Sequence, residues 1–258
     1  MKQIILERCP NVRDPGGMKG ADGKTVRSGI LIRSSKPTAL TREDRRILTE
    51  ELRVSRIIDL RTEREAAEEP DADLGCAYDN IPLRPDVKAG VKYRFPESLK
   101  AYSQKFPSMP QMYVNMLTTE YSRGQLRKIF RIIFDAAKNG GCVLFHCSEG
   151  KDRTGIVAAL AELLLGVDRN EIMRDYLISN ECFRRRNRFY SRLIAVAFRD
   201  AEYVREFRMM FEAHPSMLRS LFEIVDDCGG IGDYFTNQLG FTKQEIDSFI
   251  HDMLCEEA

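Results

Sequence analysis

Four short apolar runs bounded by polar residues stand out in the chain. They cover residues 30–32, 56–60 and 142–146, with a weaker run at 78–83. Apolar runs of this length that are rich in β-branched and aromatic residues are typical of buried strands. We therefore predict a strand at each of these four places.

Between these runs the apolar positions change to helical spacing. Thr41 is followed three residues later by Asp44, which is typical of the capping box that starts a helix. The apolar residues between 126 and 137 recur every three or four positions, which predicts an amphipathic helix there. They are Leu126, Ile129, Phe130, Ile133, Phe134 and Ala137.

A third helix is predicted directly after the run at 142–146. Residues 153–165 are apolar nearly all round from Ile156 onward, and Gly166 follows them, as expected of a buried central helix with a glycine cap. The C-terminal region is also predicted to be helical. It ends in a capping box, Thr242 with Glu245, followed by an apolar stripe that we interpret as core.

Alternation of strands and helices predicts an α/β fold with a mostly parallel central sheet flanked by helices and a helical C-terminal region. Residues 84–122 interrupt the alternation with four prolines, scattered aromatic residues and many charges. This insertion is a candidate lid over a site, and a simple surface excursion is the alternative. Since no repeat or low-complexity linker is visible, residues 1–258 are expected to form a single domain.

Composition is that of a soluble globular protein of 258 residues, 43% hydrophobic and 31% charged. A formal net charge of +1 gives no overall attraction to nucleic acid or to an anionic membrane, so affinity for phosphate has to come from a local site. No apolar stretch reaches the roughly 18 residues of a membrane span, and the N-terminal apolar run is too short for a signal peptide. We expect no nucleic-acid partner, no stable membrane insertion and a cytoplasmic location, with export without a signal peptide left open.

The seven cysteines are odd in number, widely scattered and never spaced as C-x-x-C. This distribution argues against a disulfide framework and against a zinc cluster. We expect a reducing compartment, no bound metal and no organic cofactor.

The segment at 146–155, HCSEGKDRTG, joins the strand predicted at 142–146 to the central helix. Five residues separate Cys147 from Arg153, and a loop this short can curl around one tetrahedral anion with its backbone N–H groups inward and a helix N-terminus adding positive potential. Gly150 permits the tight curl. The predicted phosphate-binding residues are Ser148, Glu149, Gly150, Lys151, Asp152, Arg153 and Thr154.

Arg153 and the neighbouring Cys147 are predicted to be catalytic. Arg153 offers a planar fork of donors to two phosphate oxygens, which a lysine would not reproduce. Cys147 lies at the positive end of the helix and is expected to be a thiolate nucleophile near neutral pH. The hydroxyl of Thr154 is expected to donate to the Cys147 sulfur or to a water. Full ionisation of a thiol raises the reaction rate only roughly 30-fold, or about 2 kcal/mol. The loop backbone and Arg153 should therefore contribute more to catalysis than the ionisation of Cys147 does.

At this point the chain resembles a known family. The string HCSEGKDRTG resembles the C-x5-R signature of protein tyrosine phosphatases, in the HCxxGKDRTG form of the atypical bacterial enzymes. Residues 11–17, NVRDPGG, are similar to that family's NFRDLGG, with Val12 and Pro15 in place of Phe and Leu. Residues 58–62, IDLRT, are similar to its DLRS/T with a following Glu, and residues 175–180 to its DYLxSN.

The resemblance spans most of the chain and implies a single tyrosine-phosphatase-like α/β domain, a phosphocysteine intermediate, no metal and a helical lid at 84–122. It implies a phosphorylated protein or a phosphoinositide as substrate. On this basis we predict a cysteine-dependent phosphomonoester hydrolase that acts on phosphotyrosine, and also on phosphoserine, phosphothreonine and phosphoinositides as the atypical enzymes do.

The leaving oxygen needs a proton, and the chain has no tryptophan with which to form the Trp-Pro-Asp loop of typical tyrosine phosphatases. Three aspartates are candidates, in the order Asp152, Asp59 and Asp86. Asp152 lies in the loop itself, with an ion pair to Arg61, Lys151 or another cation as the alternative role. Asp59 follows a predicted strand, with a helix N-cap as the alternative. Asp86 starts the insertion.

Other charged residues near the motif are interpreted less specifically. Lys151 is predicted to widen the positive field toward multiply phosphorylated head groups, with a solvent-facing lysine as the alternative. His146 is expected to be buried and to orient the loop. The basic run at 184–188 is interpreted as a solvated helix face, with contact to a phosphoinositide membrane surface as the alternative.

Two other functions use similar residues. A phosphate-binding module would hold a phosphorylated ligand without turning it over, and phosphate release from p-nitrophenyl phosphate distinguishes it from an enzyme. A rhodanese-like sulfur carrier also uses a loop cysteine, but it does not explain the C-x5-R spacing followed by Thr-Gly.

Overall fold

The computed structural model describes residues 1–86, 109–197 and 208–256. The strands are β1 (Lys2–Ile4), β2 (Val12–Asp14), β3 (Thr25–Val26), β4 (Leu31–Ser34), β5 (Val54–Asp59), β6 (Ala77–Asn80), β7 (Cys142–His146) and β8 (Leu254–Cys255). The α-helices are α1 (Arg42–Arg46), α2 (Glu63–Glu68), α3 (Met109–Thr118), α4 (Glu120–Asn139), α5 (Asp152–Leu164), α6 (Arg169–Cys182), α7 (Arg184–Ala197), α8 (Pro215–Asp227), α9 (Ile231–Asp233) and α10 (Lys243–Met253). Short π-helical turns follow α1 and α9, at Ile47–Glu51 and Tyr234–Gln238, and a 3₁₀ turn covers Ala21–Gly23.

Six strands form one sheet in the order β1-β2-β4-β7-β5-β6. The four strands from β4 to β6 are parallel to their neighbours, and β1 and β2 extend one edge in antiparallel fashion. The prediction of a mostly parallel sheet flanked by helices is confirmed. The four predicted strands correspond to β4, β5, β6 and β7, whereas β1, β2 and the separate β3–β8 pair are only two or three residues long and leave no periodic pattern.

The central strands are buried on both faces, as a parallel sheet requires. In β7, Val143 and Phe145 belong to the larger of two hydrophobic clusters, and Leu144, which points to the opposite face, belongs to the smaller one. Helix α5 packs within the larger cluster and is buried on almost all sides. It begins one loop after β7, so the loop is fixed at both ends by core elements.

The helices predicted from periodicity and capping are all present. Thr41 and Thr242 each form the predicted capping box, with Asp44 and Glu245 respectively. The stripe between 126 and 137 lies on α4. Helix α5 ends before Gly166, which has the positive φ of 75° expected of a glycine cap.

The predicted insertion at 84–122 is only partly described, since residues 87–108 lie outside the described residues. Its later part forms α3 and the first turn of α4. Tyr113, Met116 and Leu117 of α3 are buried in the larger cluster, so this part of the insertion contributes to the core.

The carboxyl ends of the parallel strands lie level with one another. His146 at the end of β7 pairs with Ser34 on one side and with Asp59 on the other, and Asp59 pairs with Asn80. Cys147 is the next residue after His146. It therefore lies at the edge of the sheet where α/β proteins bind their ligands. Within the described ranges, no helix combines the length and apolarity needed to cross a membrane.

Candidate active site

The loop that carries Cys147 curls tightly against the end of β4. Gly150 has a φ of 66°, and a Cβ atom at this position would lie 2.3 Å from the carbonyl oxygen of Ser34. Only glycine fits there. Cys147 is 3% exposed and Arg153, which starts α5 together with Asp152, is 8% exposed.

Donors from other parts of the chain bind the three carbonyl groups of residues 148–150. The Lys36 N–H donates to the first carbonyl at 3.4 Å. The Asn11 side-chain amide, Nδ2, donates to the second at 2.9 Å and to the third at 3.1 Å. Arg33 Nη2 also donates to the third, at 3.0 Å.

These hydrogen bonds fix the direction of the neighbouring amides. In a planar trans peptide the N–H of each residue points opposite to the carbonyl of the preceding residue. The N–H groups of residues 149–151 therefore point away from the donors and into the loop. An anion held there meets three convergent N–H groups and the N-terminus of α5.

A buried ionic cluster holds the donors in place behind the loop. Asp175 of α6 accepts from Arg13 Nε at 2.7 Å and also from Arg33 Nη1, and Arg13 in turn donates to Asn11 Oδ1. Burial raises the pKa of the Asp175 carboxyl, but the charges of Arg33 and Arg13 outweigh it and hold that pKa below its usual value. The segments at 11–17 and 175–180 thus meet behind the loop of residues 147–153, which we call the phosphate loop.

Arg153 is held by a carboxylate from α2. Its Nη1 lies 2.6 Å from Glu65 Oε2 and its Nη2 lies 3.0 Å from Glu65 Oε1. Burial raises the pKa of Glu65, but the hydrogen bonds and charge of Arg153 outweigh it and the pKa is lowered overall. Glu65 takes two of the five guanidinium N–H groups. The nitrogens also lie 3.1 Å from Ser148 Oγ and 3.4 Å from Leu60 O.

Asp59, one of the predicted catalytic residues, is fully buried in an ion pair. Its carboxylate accepts from Arg61 Nε and Nη2 at 2.9 and 2.7 Å and from the Tyr78 hydroxyl at 2.8 Å. Burial raises the pKa of Asp59, but the hydrogen bonds of Arg61 outweigh this and lower it overall. These contacts favour a permanently charged carboxylate. The alternative role as helix cap is wrong, because Thr62 caps α2.

His146 is buried, as its predicted role in orienting the loop requires. Its Nδ1 lies 3.2 Å from Cys147 O and its Nε2 lies 2.7 Å from Asp71 Oδ2. Asp59, Asp71 and His146 bring potential metal-ligand atoms within 4.8 Å of one another. Arg61 Nη2 lies 2.7 Å from both carboxylates, however, so a guanidinium cation already pairs with each of them.

Asp152, the first-ranked acid, has a different environment. Its carboxylate is one-quarter exposed and accepts from the Tyr113 hydroxyl at 2.8 Å, and Lys151 Nζ lies 3.4 Å away. The Tyr113 and Tyr176 hydroxyls are 2.9 Å apart. Burial, reinforced by the nearby Asp152 charge, raises the pKa of Tyr113 well above its usual value, so the phenol stays neutral and donates. Of the two cations named as alternatives, Arg61 and Lys151, it is Lys151 that pairs with Asp152.

Lys151 is not the solvent-facing lysine considered as an alternative, since its side chain is 1% exposed. Its ammonium donates to Met210 O at 2.7 Å and lies 3.4 Å from Glu212 O. These two carbonyls belong to the segment that leads into α8. Lys151 thus connects the phosphate loop to the segment that precedes α8.

The remaining loop residues have separate partners. Ser148 Oγ lies 3.2 Å from Glu65 Oε1, and Glu149 pairs with Arg186 of α7 at 2.7 Å. Within the part of the chain that is described, Thr154 Oγ1 is buried without a hydrogen-bond partner, so the predicted bond to the Cys147 sulfur is not formed here.

Several residues that build the site had no identified role in the sequence. Tyr113 looked like one of many scattered aromatics, and the contact that defines it is 39 positions away in the chain. Asp71 and Arg33 likewise act through tertiary contacts. Asn11 lies in a segment that the family resemblance identified, and Glu65 lies three residues after another, so the resemblance was the signal that could have found Asn11.

Sequence comparison finds relatives of this chain among curated phosphatases. The chain is 38% identical over 191 residues to the tyrosine-protein phosphatase of Nostoc commune, covering 66% of this chain and 60% of that protein. It is 31% identical over 182 residues to the triple specificity protein phosphatase PtpB of Mycobacterium tuberculosis, covering 60% of this chain and 63% of that protein. The chain thus spans less than two thirds of the length of these curated relatives.

Among solved structures, that of TpbA from P. aeruginosa aligns with a TM-score of 0.34 and 17% identity, over 63% of this chain and 79% of that one. A family model described as the tyrosine phosphatase family matches residues 4–255. Since this match leaves out only three residues at each end of the sequence, the chain belongs to the tyrosine phosphatase family.

Proposed function

We propose that this chain, acting as one domain over residues 1–258, hydrolyses phosphomonoesters through a phosphocysteine intermediate on Cys147. The observation that carries this proposal is the orientation of the loop amides. Because outside donors take the carbonyls of residues 148–150, three N–H groups converge where phosphate oxygens would lie. Cys147 and Arg153 stand at the two ends of the same loop.

In the first step the Cys147 thiolate attacks phosphorus in line with the ester oxygen. The S–P bond forms while the P–O bond to the leaving group breaks, and the leaving oxygen keeps the electron pair and takes a proton from Asp152. The equatorial oxygens bind the amides of residues 149–151 and Arg153. Phosphate takes the place of the Ser148 hydroxyl at Arg153, while Glu65 keeps the guanidinium oriented.

In the second step a water attacks the phosphocysteine and gives its proton to the Asp152 carboxylate. The S–P bond breaks, its electron pair returns to sulfur, and inorganic phosphate leaves. Cys147 and Asp152 are then in their starting forms. Water is the only co-reactant that this scheme needs.

Asp152 is favoured over Asp59 as the acid because of their surroundings. Asp152 is partly exposed, accepts from a neutral phenol and has its neighbouring cation, Lys151 Nζ, at 3.4 Å, so substrate and water can reach its carboxylate. Asp59 is 0% exposed and held by a guanidinium that favours its charged form. A cation in direct contact stabilises the charged carboxylate, and so it opposes the protonated form that a general acid needs at neutral pH.

For the substrate we infer phosphotyrosine first, with phosphoserine, phosphothreonine and phosphoinositides as further substrates. The names of the relatives support this order, since one is a tyrosine-protein phosphatase and another a triple specificity protein phosphatase. A buried Lys151 does not itself reach a head group in this structure. A second phosphate would therefore be recognised by other basic residues.

The test measures turnover and the intermediate separately. Phosphate release is followed with a phosphotyrosine peptide, a phosphoserine peptide and a phosphoinositide, and acid-quenched protein is examined by mass spectrometry for phosphate on the peptide containing Cys147. We expect the phosphorylated peptide in the wild type. Cys147→Ser should abolish turnover while still binding vanadate, because the nest is mostly backbone.

Arg153→Lys is the companion variant and should be nearly inactive, because it keeps the charge and loses the planar fork. Vanadate binding without any phosphate release by the wild type would identify a phosphate-binding module and overturn the proposal. Appreciable turnover by Cys147→Ser would overturn the phosphocysteine step.

A further inference from the structure

Helix α7 has an outer face that is strongly basic. The helix is 14 residues long and contains no acidic residue. Its exposed basic residues are Arg184, Arg185, Arg188 and Arg192. These arginines follow one another along about 12 Å of the helix, from Arg184 to Arg192.

The inner side of the same helix is anchored, which fixes the direction of the basic face. Phe183, directly before α7, and Asn187 are buried, and Asn187 Nδ2 donates to Phe211 O at 3.0 Å. The guanidinium of Arg186 stacks 4.2 Å from the centre of the Phe183 ring. Arg185 and Arg188, which lie on either side of these anchored residues in the sequence, therefore point outward.

Two large apolar side chains lie on this outer face among the arginines. Phe189 is 63% exposed and Leu193, one helical turn further on, is 43% exposed. The described residues contain three other exposed large hydrophobic side chains, and none of those is on α7. Among residues 184–193, the part of α7 whose side chains are described, the apolar exposure thus lies beside the exposed arginines.

The helix is tied to the rim of the phosphate loop. Arg186 forms an ion pair with Glu149 of the loop at 2.7 Å. A surface that binds the outer face of α7 is therefore held next to Cys147 and Arg153.

We propose that the outer face of α7 binds the surface of an anionic lipid bilayer. A basic amphipathic helix with Phe and Leu among its cations lies in the interface, with its apolar side chains below the head groups and its arginines at the phosphates. The aliphatic Leu193 gains free energy from acyl chains and gains none from an acidic protein surface or a nucleic-acid backbone. Binding itself does not depend on the proposed hydrolysis, which supplies only the reason why a phosphoinositide would be presented to the loop.

The test uses flotation of the full chain with vesicles of phosphatidylcholine alone or mixed with phosphatidylserine. We expect binding only to the anionic vesicles. Replacing two arginines in Arg185→Gln/Arg188→Gln should weaken partitioning roughly 30-fold, since each arginine near the surface contributes about a factor of five. Phe189→Ala should weaken it several-fold at high salt, where the apolar part dominates.

The matched control is Arg42→Gln/Arg219→Gln, which removes the same charge from exposed positions on α1 and α8. It should bind anionic vesicles like the wild type. Hydrolysis of p-nitrophenyl phosphate by all variants checks folding and tests the active site independently, and it should be unchanged.

Absence of wild-type binding to anionic vesicles overturns the proposal and leaves an acidic protein as the partner to seek. Equal loss of binding in the α7 variant and the control also overturns it, because net charge alone would then explain the attraction. Failure of phosphatase activity with intact vesicle binding would instead count against the proposed function.

Discussion

Glu65 on α2 binds both terminal nitrogens of Arg153, at 2.6 and 3.0 Å. The fork of the guanidinium is therefore oriented before any substrate arrives. Pre-orientation of this kind reduces the entropy lost when the transition state binds. The carboxylate acts on the reaction only through Arg153, so Glu65 is a positioning residue.

Replacement of Glu65 by Gln should lower kcat/KM about ten- to one-hundredfold, because charge-assisted hydrogen bonds are lost and Arg153 can turn. The effect should fall mainly on kcat, since the phosphate nest is backbone. Steady-state kinetics with p-nitrophenyl phosphate measure it. Glu68→Gln on the exposed side of the same helix is the control, and an equal loss in both variants would contradict the role assigned to Glu65.

The same residue predicts a pH dependence of stability. Arg153 lowers the pKa of Glu65 below its ordinary value of 4.5, so the folded state binds this proton less readily than the unfolded chain. The stabilisation is complete above about pH 5 and is lost as the pH falls. Denaturant titrations should thus show a difference between wild type and Glu65→Gln at neutral pH that shrinks in acid. A difference that grows in acid would contradict the ion pair.

Leaving-group dependence identifies the acid. An alkyl alcohol needs a proton on departure far more than p-nitrophenolate does, so Asp152→Asn should lose much more activity on phosphoserine than on p-nitrophenyl phosphate and should flatten the basic limb of the pH profile. Asp59→Asn should lower both activities alike and reduce stability, because it breaks the buried pair with Arg61. Selective loss in Asp86→Asn alone would move the acid to the insertion.

Lys151→Met should destabilise the fold by about 2–3 kcal/mol, because Met210 O and Glu212 O lose a buried donor. Activity should fall by the same factor on every substrate, since the loop as a whole is loosened. Thermal unfolding and a substrate panel give the two readouts, and Lys128→Met, at an exposed position, is the control. Loss confined to phosphoinositides would instead show direct contact with a head group.

Glu162 offers a second pH-dependent test. Both of its carboxyl oxygens are buried without a partner among the described residues, and burial, helped by the Asp175 charge, raises its pKa well above the usual value. The folded state therefore holds a proton that the unfolded chain releases above about pH 4.5, and stability falls as the pH rises by up to about 1.4 kcal/mol per unit. Glu162→Gln should gain stability over the wild type from pH 5 to 8. A constant difference across this range would contradict a buried neutral acid.

How far the sequence predicted the site depended on the range of the interactions. Cys147 and Arg153 could be predicted as neighbours because one short loop carries both, and the structure places this loop between a strand and a helix as predicted. The burial of Lys151 was not predicted, since the sequence analysis considered only a positive field toward head groups and a solvent-facing lysine. The carbonyl groups that accept from Lys151 lie about 60 positions away in the chain, and no local sequence pattern predicts a backbone carbonyl as the partner of a lysine.

In the fold, too, local sequence patterns were predictable and tertiary contacts were not. Strands and helices with several alternating or periodic residues were predicted, whereas β2 has only three residues and owes its place to pairing with β4. The sequence analysis gave a helix N-cap as the alternative role of Asp59. In the structure the Asp59 carboxylate is paired with Arg61, and Thr62 caps α2 instead.

The amide of Asn11 donates to two loop carbonyls and thereby sets the direction of the two peptide groups that contain them. The signature motif is therefore not a self-sufficient unit. A fragment that kept residues 142–166 and lacked the first seventeen would retain the nucleophile and the arginine but lose the donor that turns the loop carbonyls outward. Grafting the ten-residue motif onto another strand–loop–helix scaffold would transfer the chemistry only if an equivalent donor came with it.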